Sequence, residues 1–207
     1  MSEEVLDKSQ IIDGLALIAE HFVNIAAVVD NEICRTVQGD CESDWDSARD
    51  AVGEEFQAIS PHFRMAVDLP SNELGITALE AMSSFVRIRG AFRRIVLMID
   101  MLRDVNFQQV YMDSLGSISK KVHEAVVALH TMVCSCGENQ NASTEGRIAI
   151  SRIERQVDEE NIIISRQIEV KEGGDSPFAC YVMRKIVGEL ENITDYLRDL
   201  AEIIEGL

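Results

Sequence analysis

Ile11, Leu15, Ile18, Phe22, Ile25 and Val29 follow one another at alternating steps of four and three. That rhythm lays one apolar stripe along a helix and is the seam of a helical bundle. It predicts a first helix from about Ser9 to Thr36. The polar stretch QGDCESD interrupts it, and a second helix is expected from about Ser43 to His62. After a turn at Pro70, Ser71 is the expected cap of a third helix running to about Arg103 on Leu79, Met82, Phe85, Phe92, Ile95, Ile99 and Leu102. A fourth, from about Phe107 to Cys134, carries Leu115, Ile118, Val122, Ala125, Leu129 and Met132. The polar run CGENQNASTEG breaks the pattern. A fifth, from about Thr144 to Val170, is carried by Ile150, Ile153, Val157, Ile164 and Ile168. The turn EGGDSP follows, with Ser176 as cap and Pro177 in the first turn of a sixth helix to Leu207. Its stripe is Val182, Ile186, Leu190, Ile193, Leu197 and Ile204. No strand is expected, so the fold class is all-α, a six-helix bundle.

The six helices fall into two sets of three, each long, medium, long, with a proline-containing turn between its last two members. The layout predicts an internal duplication within a single domain, 1–207, with one repeat over about 8–104 and another over about 105–207.

Composition narrows the partners. The 207 residues are 46% hydrophobic and 27% charged, an ordinary globular mixture. A net charge of −17 disfavours nucleic acid and anionic lipid. No apolar run approaches the roughly 20 residues of a membrane span, and the acidic start MSEEVLDKSQ lacks the features of a signal peptide. With five cysteines and no export signal, reduced thiols in a cytoplasm are expected. Cys134 and Cys136 are a close pair without a second pair to complete a thiol metal site. Buried or idle thiols at a helix end are the plainer reading.

Carboxylates supply the candidate chemistry. In LENITDYLRD, Glu191 and Asp195 stand four apart, so like charges share one helix face. The preceding helix carries Glu154 and Asp158 in IERQVDEE. In an antiparallel hairpin centred near Gly174–Asp175, Glu154 lies level with Asp195 and Asp158 with Glu191. Packed helix axes are about 8–10 Å apart. Both pairs sit one step past seam residues, where side chains reach across. Four facing carboxylates form an oxygen-rich cation site, or else a solvated acidic face on which Arg155 and Arg198 pair locally. Spacing alone leaves both open, since acids four apart also occur at Asp46/Asp50, Asp50/Glu54 and Asp195/Asp199.

At these residues the chain resembles the PhoU-like phosphate-transport regulators, above all the short accessory proteins of low-affinity phosphate permeases. That family has two repeats of three helices with E/D-x-x-x-D motifs on the second and third helix of each. IERQVDEEN and LENITDYLRDLAEII are close to the second-repeat pattern. The resemblance implies a metal-binding regulatory adaptor, with Glu154, Asp158, Glu191 and Asp195 as ligands. It also implies negative control of phosphate uptake or signalling through contact with a membrane phosphate permease or phosphate-sensing component. Carboxylates accept iron, zinc, manganese, magnesium or calcium, so the metal stays unnamed.

The first half departs from the motif. About Leu69–Pro70, Asp46 is level with Arg93 and Asp50 with Arg89, in FVRIRGAFRR. The favoured reading is a salt-bridge quartet of Asp46, Asp50, Arg89 and Arg93 replacing the first-repeat site. The alternative is that Arg87, Arg89, Arg93, Arg94 and Arg103 form an exposed basic stripe, a partner-docking or homodimer surface. His123 and His130 share a face of the fourth helix and read as ordinary half-buried histidines. No Glu has a His three residues later, and no phosphate loop or nucleophile–base motif occurs, so no catalysis is expected.

Overall fold

The computed structural model describes residues 5–38, 44–101, 109–136, 140–171 and 177–207. Its elements are α1 (Lys8–Val37), α2 (Trp45–Ile59), a 3-10 segment (His62–Val67), α3 (Glu73–Asp100), α4 (Gln109–Cys134), α5 (Gln140–Lys171) and α6 (Pro177–Glu205). Among the described residues there is no strand. The ends expected at Ser43, Leu102, Arg103, Phe107 and Ser176 lie outside the described residues.

Caps set the starts. Asp7 and Gln10 cap one another reciprocally at α1, each bond 2.9 Å. Asp44 accepts from the N–H groups of Asp46 and Ser47 at 3.1 Å to open α2. Asn72, not the expected Ser71, caps α3 by accepting from the N–H of Gly75 at 3.2 Å. Glycine is required at position 75, because a Cβ there would fall on the Pro70 carbonyl oxygen.

α1 packs on α4 and α3 on α6, making a four-helix centre. The short α2 lies against α1 and α3, and α5 against α4 and α6. Phe22 of α1 stacks on Phe85 and Phe92 of α3, with ring centroids 5.4 and 6.3 Å apart. The expected stripes of α1, α4 and α6 are fully buried. α3 departs at one position: Leu79 is 54% exposed, while Ala78 and Ala81 are buried in its place. Close helix packing takes the small side chains on that turn and leaves the larger one outside. Ile168 lies outside the residues whose side chains are described.

By length and composition α1 is apolar enough to cross a membrane, as a core helix can also be. The reason is its place in the centre, where Ile11, Leu15, Ile18 and Ile25 are wholly covered by neighbouring helices. α5 begins at Gln140, earlier than the sequence predicts. Thr144 Oγ1 donates to Glu205 Oε1 at 2.8 Å, and Arg147 Nε lies 2.6 Å from Glu205 Oε2, tying the second turn of α5 to the end of α6. Gly146 lets α5 approach α4, since a Cβ there would lie 3.0 Å from Met132 Cβ.

Candidate carboxylate site between α5 and α6

Ile153 and Val157 on α5 and Leu190 and Thr194 on α6 are buried. Glu154, Asp158, Glu191 and Asp195 follow these positions around each helix and are carried to the seam's edge. Glu154 is buried at 6% exposure, and the other three are half-buried. The four converge. Burial pushes the Asp158 carboxyl up, the charge on Asp195 pushes it further, and Arg198 opposes them. Burial raises Glu191 as well, aided by Asp158, Asp195 and Glu154 and opposed by a hydrogen bond from Asn161.

Two side chains answer this crowding. Arg198, one turn past Asp195, donates from Nη1 to Glu154 Oε1 across the hairpin. The same nitrogen lies 3.3 Å from Asp195 Oδ1, and Nη2 donates to Asp199 Oδ1 at 3.1 Å. Asn161 Nδ2, one turn past Asp158, donates to Glu191 Oε2. Arg198 thus bridges the helices rather than pairing only within α6. The sequence reading left out Asn161, although its place three residues after Asp158 puts it on the same face. Among the described residues no group of three or more His, Cys, Asp or Glu is disposed around a metal position, and Arg198 occupies Glu154 and Asp195 while Asn161 occupies Glu191. The donor chemistry suits a hard cation, but binding one requires these two side chains to yield.

The quartet expected in the first half does not form. Asp46 pairs with Arg49 of its own helix. Arg89 lies over the Phe56 ring, 5.2 Å from its centroid. Phe56 is six positions beyond Asp50, about 9 Å along the helix axis. Arg93 lines the same groove as Gly53 and Phe56, and among the described residues neither arginine forms an ion pair with Asp46 or Asp50. The 3-10 segment in the connection moves the level point away from Leu69–Pro70. The basic stripe is also divided: Arg94 forks onto Glu189 at 2.7 and 2.8 Å, and Arg87 lies 5.9 Å from the Tyr196 ring centre, both toward α6. Arg103 lies outside the described residues.

The thiols and histidines have local partners. Cys136 is buried and donates to the Ile204 carbonyl at 3.6 Å, while the exposed Cys134 Sγ lies 3.4 Å from His130 Nε2. His123 Nδ1 lies 3.4 Å from Asp30 Oδ2, and Ser119 donates to Asp30 Oδ1 at 2.9 Å. Serine and histidine both meet the carboxylate and not each other, so the trio lacks the serine–histidine contact that would activate a nucleophile.

No protein-family model and no curated protein matches the chain. Among solved structures it is similar to a crystal structure described as that of a PhoU-like phosphate regulatory protein from Shewanella oneidensis MR-1. The TM-score is 0.73 at 14% identity, over 94% of this chain and 97% of that one. The six-helix fold is therefore the PhoU-like fold.

Proposed function

We propose that the chain is a regulatory adaptor of phosphate transport. What supports this is the likeness along nearly its whole length to a protein described as a PhoU-like phosphate regulatory protein. In this reading it works at the cytoplasmic side of a membrane phosphate permease or phosphate-sensing component, as a monomer or homodimer of two fused three-helix repeats, and carries out no catalytic step. The carboxylates between α5 and α6 are its cation-responsive element. Glu154, Asp158, Glu191 and Asp195 would hold a hard cation such as iron, zinc, manganese, magnesium or calcium. Asp158 and Glu191 are raised first by burial and then by neighbouring carboxylates, and a bound cation would offset both effects. When bound, the cation would supply the missing positive charge. Arg198 would then be released from Glu154 and Asp195, which gives the hairpin two arrangements for a partner to distinguish.

Phosphate uptake by cells lacking the chain tests the role. Uptake is expected to change on loss of the chain, and to be restored by the wild type but not by Glu191→Gln with Asp195→Asn. Uptake indifferent to loss of the chain would overturn the reading. A second reading, a structural or oligomerisation bundle with a solvated acidic face, has Arg198 in its favour, since a built-in guanidinium already neutralises part of the site. Metal analysis of protein purified without chelator separates the two.

A further inference from the structure

The groove between α2 and α3 is lined by three arginines and no acid, in a chain whose acids outnumber its bases by 36 to 19. Arg49 stands on the α2 side, Arg89 and Arg93 on the α3 side, around a cavity of about 380 Å³. That volume falls within the ~300–1,000 Å³ usual for small-ligand sites. Arg49 pairs with Asp46 of its own helix, and elsewhere Arg94 meets Glu189, Arg147 meets Glu205 and Arg198 meets Glu154. Arg89 and Arg93, one turn apart on the same face, have no carboxylate within ion-pair distance among the described residues. Two like charges in that relation repel unless an anion lies between them. The Phe56 ring beneath Arg89 holds one guanidinium in place before any ligand arrives.

The remaining walls are apolar, with Val52, Val96 and Leu97 beside the arginine stems. At Gly53 a Cβ would meet nothing within 4 Å, so the groove floor is open there. We propose that this groove binds a small organic anion with a doubly charged head, of the phosphomonoester class. The two uncompensated guanidiniums match a dianion and fork onto its oxygens, and the apolar walls cover the organic body. The site does not depend on the carboxylates of α5 and α6 or on the regulatory role proposed above.

Calorimetric titration of the full chain with phenyl phosphate, inorganic phosphate and benzoate at low salt tests it. Phenyl phosphate is expected to saturate one site and bind more tightly than either control, because inorganic phosphate lacks the body and benzoate the second charge. Arg93→Gln should weaken it by about tenfold or more. Gly53→Leu, which fills the open floor and removes a glycine from a helix interior, should abolish binding without lowering the melting temperature. Absence of saturable binding overturns the proposal. So does benzoate binding as tightly as phenyl phosphate, or binding that survives Arg89→Gln, Arg93→Gln and Gly53→Leu in folded protein.

Discussion

Replacing Arg198 by glutamine removes the cation from the middle of the α5–α6 carboxylates. Its partner Glu154 is buried, with 8% of its side chain exposed, so the carboxylate loses its counter-charge where water cannot replace it. Breaking a fully buried pair costs about 3–5 kcal/mol, and an exposed pair about 0–1. Arg198 is 35% exposed and Asp195 40%, so solvent screens part of the loss and about 2 kcal/mol is expected. For a domain of this size each kcal/mol moves the melting temperature by about 2–4 °C, which gives a fall of about 4–8 °C. Differential scanning calorimetry of chelator-treated protein measures it. Glu154→Gln added to Arg198→Gln should recover most of the loss, because no unpaired charge remains. If the site takes cations, manganese or zinc should raise the melting temperature of Arg198→Gln more than that of the wild type, the internal competitor being gone. A melting temperature unmoved by Arg198→Gln would refute the premise that this guanidinium holds the hairpin together.

The pH dependence has a defined sign. Asp158 and Glu191 have folded pKa values above their unfolded ones, so their stabilising contribution is full below about pH 4 and is lost as pH rises through the raised values. Asp158→Asn should therefore raise the melting temperature of the cation-free protein at pH 7 and give no gain at pH 4; the same gain at both pH values would argue against charge crowding. Phe22→Ala should cost about 3–5 kcal/mol by emptying the stack with Phe85 and Phe92, read by urea denaturation, and a loss under 1 kcal/mol would contradict the central place of that stack. Arg89→Gln should cost no more than about 1 kcal/mol, the worth of one cation–π contact, whereas a loss of several kcal/mol would restore the salt-bridge quartet.

How far the chain could be read in advance follows from its connections and from side-chain size. α5 ends at Lys171 and α6 begins at Pro177, and across this short turn the two acidic stretches meet, Arg198 reaching Glu154 and Asn161 reaching Glu191. Between α2, ending at Ile59, and α3, beginning at Glu73, a 3-10 segment intervenes, and counting outward from the turn set Arg89 opposite Asp50 where it instead lies over Phe56. No periodicity signals that segment. Leu79 was misplaced because hydrophobic pattern ranks leucine above alanine, whereas close packing selected Ala78 and Ala81. The contacts of Thr144 and Arg147 with Glu205 join residues far apart in sequence, and local propensity carries no trace of them. The bridging role of Arg198 is hidden for a related reason: its nearest acids along α6 mask a partner on another helix.

The central claim, a cation-responsive carboxylate site in a PhoU-like fold, is tested most directly by titrating chelator-treated protein with iron(II), zinc, manganese, magnesium and calcium in a calorimeter. The account predicts saturable binding of at least one of them, abolished by Glu154→Gln with Asp158→Asn and strengthened by Arg198→Gln. No saturable binding of any of the five, or binding unchanged in both variants, would contradict it.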